Sequence, residues 1–412
     1  MALRTRNAII FLLGAGASYD ADIPISSAMI TKLETLVSNK NDADFGNDYA
    51  LYYYIRSAIN YGNEIKKLKR DSQVETFYNI ESLVVSLEEL AKKDDHHLYP
   101  FIGAWSPKLS ELTDKNFDNI KKFKDKIVSK VRDWVEIKRE EKTDYYKGLI
   151  GFHDDYEHPL RIFSLNYDLC VEIACNNLKG TYPERGFHPK RSVDGDTARK
   201  WDWQLLDENV VENESKSILL YKLHGSIDWK RHSDGQLTYE DSTANIAANE
   251  TAIIFGTSYK LQYNDPFLYL FQEFRKWSLG AKLIIAIGYG FVDEHVNGIL
   301  RQSLNSNPEM KLLWISPVFA PPNEIEEVQR QEIAKLEKSL SLNRQDGSQI
   351  IRWNFTAEEF MNNQLTIDKL ETLFPQEEEL FPQVKLEEDI ESVNPSNLSS
   401  ILMPYGENVD KS

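Results

Sequence analysis

Ala8-Ile9-Ile10-Phe11-Leu12-Leu13 runs straight into Gly14-Ala15-Gly16-Ala17-Ser18. A short, continuous apolar run closed by two glycines predicts a fully buried strand ending in a tight turn, with a helix beginning near Ser18. Glycine there lets the backbone approach a ligand closely, so amide N–H groups and a helix N-terminus can meet a phosphate. The same residues serve equally well as a strand-to-helix turn that holds nothing. The full G-x-G-x-x-G spacing is broken, because Tyr19 stands where the third glycine would fall.

Five more runs share this character: Leu160–Leu165, Ser217–Leu223, Ala252–Phe255, Lys282–Ile287 and Lys311–Ile315. Unbroken rather than alternating apolarity suits parallel strands covered by helices on both faces. Most of the intervals between them are long enough for a helix. The expected fold class is therefore α/β, a doubly wound parallel sheet.

One interval departs from this rhythm. Residues 27–158 hold no convincing strand and read as helices, with Ile80, Leu83, Val84, Leu87 and Leu90 on one face of a helix. Phe117, Ile120, Phe123, Ile127, Val131 and Trp134 line another, whose solvated side carries the lysines of 121–130. This predicts a large helical insertion at 27–158 within a core made of 1–26 and 159–363, and a second irregular insertion at about 176–216. Asp265-Pro266 predicts a helix start and Gly280 its stop, while Thr356 with Glu359 predicts a capping box. A C-terminal extension, 364–412, becomes strongly acidic from about 376, where Glu377-Glu378-Glu379 and Glu387-Glu388-Asp389 leave little to bury.

At 412 residues and 41% apolar composition, a sizeable core is expected. The net charge of −17 argues against a broad nucleic-acid-binding surface, which needs dense positive charge. The two cysteines, Cys170 and Cys175, fall in or near one expected helix, an intracellular pattern and not a disulfide framework. The 8–13 run is too short for a signal-peptide core, and nothing approaches the roughly 20 apolar residues of a membrane span. A cytoplasmic chain without membrane contact is expected.

Polar motifs follow several strands, where open α/β sheets hold their ligands. Asn166-Tyr167-Asp168 follows the second run. A carboxamide there can orient a ribose hydroxyl or a water and a carboxylate can fix a ribose, or both can simply close an Asx turn. His224-Gly225-Ser226 ends the third run, and an imidazole titrating near neutrality is a natural base, though a structural histidine fits as well. Ile287-Gly288-Tyr289-Gly290-Phe291 repeats the strand-and-glycine pattern, with Asp293, His295 and Asn297 entering the next helix. His295 with Asp293 lacks a third ligand at suitable spacing, so no metal is expected. In their order these motifs point to chemistry on a nicotinamide dinucleotide bound by a Rossmann-like sheet.

Taken together, Gly14-Ala15-Gly16-Ala17-Ser18, Asn166-Tyr167-Asp168 and Leu223-His224-Gly225 resemble the sirtuin-like superfamily, whose members carry Gly-Ala-Gly-x-Ser, Asn-x-Asp and Leu-His-Gly in that order. Ile254-Phe255-Gly256 resembles the family's strand past its substrate cleft, and the segments near Gly288 and Ser316 resemble its adenosine-holding region. Two departures choose the branch. The four-cysteine zinc module of deacylating sirtuins cannot be built from two cysteines, and Asp22-Ile23-Pro24 replaces the usual Gly-Ile-Pro. What remains is similar to sirtuin-like NADases of bacterial anti-phage defence, one group of which assembles with a HerA-type ATPase.

The resemblance implies an NAD glycohydrolase that uses NAD as substrate and needs no zinc, with catalytic Asn166, His224 and Asp168. It places Gly14, Ala15, Gly16, Ser18, Ser226, Gly288 and Tyr289 around the dinucleotide. It also implies a homo-oligomer and a HerA-type partner, with no direct nucleic-acid binding. A protein deacylase or ADP-ribosyltransferase, or a non-catalytic NAD or ADP-ribose sensor, remain the alternatives.

Overall fold

The computed structural model describes residues 3–5, 7–70, 78–92, 107–113, 118–190, 199–207, 217–255, 265–342 and 348–374. Phe117, Gly256 and the acidic stretch 376–412 lie outside these residues. The chain divides into two units, Met1–Leu373 and Phe374–Ser412, and of the second only Phe374 is among the described residues.

The described strands are β1 (Ile9–Leu13), β2 (Leu160–Ser164), β3 (Ile218–Lys222), β4 (Gly225–Arg231), β5 (Leu237–Tyr239), β6 (Thr251–Ile253), β7 (Leu283–Ile287), β8 (Lys311–Ile315) and β9 (Ile350–Trp353). Six form one sheet in the order β3-β2-β1-β7-β8-β9, with every pairing parallel. The chain starts at the centre, moves outward through β2 and β3, then returns beside β1 and moves outward the other way. The expected doubly wound α/β sheet is present, and its direction reverses between β1 and β7. Leu13 pairs with both Ser164 and Ile287, so β2, β1 and β7 end level with one another.

Every residue of β1, β2, β3 and β7 is buried, as continuous apolar runs require. Alternate side chains serve opposite faces. Ile10, Leu12, Phe163, Leu219, Tyr221, Ile284 and Leu312 join a core with the helices Phe267–Gly280 and Glu294–Ser306. Phe11 turns the other way and meets Phe152 of the Tyr146–Tyr156 helix edge-on at 5.6 Å. Each such buried phenylalanine contributes about 1.5–3 kcal/mol.

Ala252–Phe255 is not a strand of this sheet. Its first two residues belong to β6, which pairs antiparallel with β4 in a small second sheet ordered β5-β4-β6. A four-residue apolar run carries no signal for parallel or antiparallel pairing. The sixth parallel strand is instead β9, at the sheet edge.

Across 27–158 the described residues form helices and no strand: Ser26–Ser38, Tyr49–Arg70, Ile80–Ala91, Pro107–Leu112, Asp118–Val135 and Tyr146–Tyr156. Ile80, Leu83, Val84 and Leu87 are buried, as are Ile120, Phe123, Ile127 and Val131, whereas Leu90 and Trp134 are partly exposed. The Ile80–Ala91 helix starts at an Asn79–Ser82 capping box, in which Asn79 Oδ1 accepts from Ser82 N at 2.8 Å. Thr356 and Glu359 form the expected box ahead of the Ala357–Asn363 helix. The Phe267–Gly280 helix begins one residue later than Asp265-Pro266 implied. Pro266 is its cap, and the Pro266 carbonyl accepts from Leu270 N at 2.9 Å. The short Ile367–Glu371 helix, in the segment grouped above with the extension, buries Leu370 within the first unit.

Candidate functional site

The motifs meet at the C-terminal edge of the parallel sheet, around the point where its direction reverses. After β1 the chain enters a short 3-10 helix, Ala15–Ala21, and after β7 it makes the Gly288 turn. These two loops are joined backbone to backbone: Gly14 N donates to Ile287 O and Gly16 N to Gly288 O, each at 2.9 Å. A β-carbon on Gly14 would stand 2.6 Å from Tyr289 Cα, and one on Gly16 would stand 2.8 Å from Gly288 Cα. The glycines are thus required first by the contact between loops. With Ala17 N donating to Gly14 O, the amides of Gly14, Gly16 and Ala17 all have protein partners. Among the described residues the Ala15 amide has none, so it is the donor this loop offers to an anion.

Asn166 ties the second strand end to the first. Its Nδ2 donates to Gly14 O at 2.9 Å and to Ser18 Oγ at 3.0 Å, and its backbone N–H donates to Ser164 Oγ. Ser18 is fully buried and also meets the Tyr146 hydroxyl at 3.0 Å, while the Tyr145 hydroxyl donates to Ala17 O. The Ser18 hydroxyl therefore faces inward and holds the Asn166 carboxamide, whose Oδ1 has no hydrogen-bond partner among the described residues.

Asp168 closes a local turn. Its Oδ1 accepts from Cys170 N at 3.1 Å, where the Cys170–Lys179 helix starts. The Asp168 carbonyl accepts from Lys222 Nζ. Lys222 belongs to a buried ionic cluster absent from the sequence reading. Lys222 and Arg185 both donate to Glu172 Oε1 at 3.3 Å, and Arg185 donates to Asp228 Oδ2 at 2.8 Å. Burial works against charge on Asp228, yet Arg185 and Lys222 outweigh it and hold the carboxyl below its ordinary range. Ser226, fully buried, donates to Tyr167 O at 3.4 Å and lies beside this cluster.

His224 is 4% exposed, and its Nε2 lies 2.9 Å from Asp293 Oδ2. Asp293 caps the Glu294–Ser306 helix through its other oxygen. The Tyr289 hydroxyl donates to Asn297 Oδ1 at 2.9 Å and to Asp293 O at 3.3 Å, so Tyr289 braces this loop. The Tyr167 ring stands 6.4 Å from the His224 ring, and its hydroxyl donates to Ile254 O at 2.8 Å. Burial, reinforced by the fields of Glu81 and Asp293, pushes the phenols of Tyr167 and Tyr289 well above their usual range. Glu81 sits in the first turn of the Ile80–Ala91 helix, which brings negative charge toward the site.

The result is a linked ring: Asn166 to Gly14, Gly16 to Gly288, Tyr289 to Asp293, Asp293 to His224, and His224 against Tyr167. Asn166, His224, Gly14, Ala15, Gly16, Gly288 and Tyr289 are brought together at this edge. Asp168, Ser18 and Ser226 support it from within. Among the described residues no group of three His, Cys, Asp or Glu side chains could hold a metal, and no helix is long and apolar enough to cross a membrane. A separate cavity of about 340 Å³ beyond β9 is lined by Arg352, Trp353, Phe355 and Lys369 and includes none of the motif residues.

Residues 160–341 match the family model described as SIR2-like domain. A search of curated proteins finds no match. Among solved structures, the chain is similar at 12% identity to a Sir2 homologue mutant in complex with 2'-O-acetyl ADP ribose, with 83% of this chain and 96% of that one covered and a TM-score of 0.35. A complex of a Sir2 homolog with NAD gives 13% identity, 82% and 93% coverage and a TM-score of 0.34.

Proposed function

We propose that this chain is an NAD glycohydrolase, cleaving NAD and water to nicotinamide, ADP-ribose and a proton. The observation that carries the proposal is the Asn166–Gly14 hydrogen bond. It fixes a carboxamide at the reversal point of the sheet, within the same linked ring as His224. The SIR2-like match over 160–341 supports it. The bond between ribose C1' and the nicotinamide nitrogen breaks with its electron pair leaving on the nitrogen, so the ring departs neutral. The cationic ribosyl carbon then takes water, whose proton must be removed. Asn166 Oδ1 can accept from a ribose hydroxyl or the attacking water, and the His224 imidazole can take the proton. Ala15 N and the glycine loops would face the pyrophosphate.

Incubating the purified chain with NAD and resolving the products tests this reading. Free ADP-ribose without any peptide is the expected result. Turnover that depends on an acylated peptide would make the chain a deacylase, and binding without turnover would make it a sensor. Metal analysis should return no stoichiometric zinc.

The same reading carries a role in anti-phage defence, in which NAD depletion halts an infected cell, and assembly as a homo-oligomer with a HerA-type ATPase. The resemblance of the motifs supports it. The acidic extension supplies a docking segment, which deletion of 376–412 would remove while leaving every motif of the site intact. Light scattering should show an oligomer at micromolar concentration, and the neighbouring gene's ATPase should co-purify with the full chain but less with the truncated one.

A further inference from the structure

We infer that Asp293 is a positioning residue that fixes the tautomer and orientation of His224, an assignment whose catalytic consequence rests on the reading above. Capping a helix needs one carboxylate oxygen, and Asp293 uses Oδ1 for it, accepting from His295 N at 3.0 Å and Val296 N at 3.3 Å. The second oxygen, Oδ2, is turned to His224 Nε2 across 69 positions of sequence. Both side chains are 5% exposed, so this contact lies out of bulk water, where a charge-assisted hydrogen bond is strong. The Tyr289 hydroxyl on the Asp293 carbonyl and the two helix amides leave the carboxylate little freedom to rotate.

A carboxylate only accepts hydrogen bonds, so the imidazole must donate from Nε2. The basic nitrogen of the neutral ring is then Nδ1. The Nε2-protonated form keeps this hydrogen bond, whereas the Nδ1-protonated form would set the lone pair of Nε2 against the carboxylate oxygen. Asp293 therefore selects the competent form of His224, as an acid behind a catalytic histidine does in general. The arrangement also joins the Gly288 loop to the third strand end, because the residue that caps the following helix holds the histidine.

Asp293→Asn separates this role from the cap. Asparagine caps a helix as well as aspartate does, but its amide hydrogens would face Nε2 and force the proton onto Nδ1. Nitrogen NMR of histidine-labelled protein, with the His224 signals assigned by their loss in His224→Gln, should show the proton on Nε2 in the native chain and on Nδ1 in the variant. Turnover of NAD should fall by about 10²-fold or more in kcat with KM little changed, and the melting transition should stay in place. Asp293→Ser, which keeps a cap and lacks the charge, should lose turnover likewise and serves where the asparagine variant folds poorly. An unchanged His224 tautomer in Asp293→Asn overturns the assignment, as does native kcat in a variant whose tautomer has switched. A native chain that turns over no NAD would sink the hydrolase reading, while the tautomer comparison would still decide the role of Asp293.

Discussion

The backbones of Gly288 and Gly16 touch so closely that a β-carbon on Gly288 would stand 2.2 Å from the Gly16 carbonyl carbon. Gly288 also has φ of +60°, a conformation that a side chain strains. Gly288→Ala should therefore spread the two loops and destabilise the fold by on the order of 3 kcal/mol, combining overpacking with backbone strain. Gly290, two residues on, would meet nothing within 4 Å, so Gly290→Ala should be near neutral. Urea unfolding of the two variants side by side checks the contrast, and equal stability of both would show that the loops do not lock together.

Asn166→Ala should abolish NAD cleavage in a folded protein, and so should His224→Ala. Asn166 also holds Gly14 O and Ser18 Oγ, so its removal should cost stability as well, about 1–2 kcal/mol for two lost hydrogen bonds. Losing one placed acid–base group commonly costs about 10²–10⁴-fold in rate. Product analysis of each variant with NAD, alongside circular dichroism for folding, gives the answer. Turnover near the native rate in folded His224→Ala would remove the histidine from the reaction.

The contrast between what was legible and what was not follows sequence distance. Five strands of the parallel sheet announce themselves as buried apolar runs, and the helical stripe of the Asp118–Val135 segment is plain. β9 is hidden because it lies at the edge with Ile351, Arg352 and Trp353 only partly buried, so no apolar run marks it. At the site, Asn166, His224 and the glycine loops stand out as polar or small residues at strand ends. Their partners do not: Asp293 lies far along the chain from His224, and Arg185 answers Asp228 from 43 positions away. The glycine motifs read equally as a phosphate cradle or an empty turn, and the loop-to-loop contact requires Gly14, Gly16 and Gly288 to lack a side chain in either case.

Both cysteines should resist alkylation in the native protein. Burial pushes the Cys170 thiol far above its ordinary range, with Asp168 adding to the effect, and it pushes Cys175 up to about 11. The reactive species is the thiolate, so at pH 8 almost none is present at either position. Labelling with a maleimide should reach both thiols only after denaturation, and its rate on the native chain should rise with pH, Cys175 first. Fast labelling of Cys170 at pH 8 would show that the Cys170–Lys179 helix does not pack as described.

The buried cluster of Lys222, Arg185, Glu172 and Asp228 should set the acid limit of the fold. Burial alone would raise the Asp228 pKa, but Arg185 and Lys222 hold it below the ordinary carboxylate range. A carboxyl depressed in the folded state contributes stability above its unfolded pKa and loses that contribution as pH falls through the folded value. Native stability should therefore drop through and below the range near pH 4. Asp228→Asn removes the titrating group and the closer of the two Arg185 ion pairs, leaving the one to Glu172 at 3.3 Å. Breaking a buried pair in this way costs about 3–5 kcal/mol at neutral pH, because the buried guanidinium keeps its charge with one carboxylate fewer to answer it. The variant should thus be less stable than the native chain at pH 7, and the gap should narrow as the pH falls below about 4. Denaturant melts at pH 7, 5, 4 and 3 read both features. A stability gap that stays constant across that range would mean that Asp228 does not titrate with the fold, and that the cluster behind the Asn166 turn is held by packing alone.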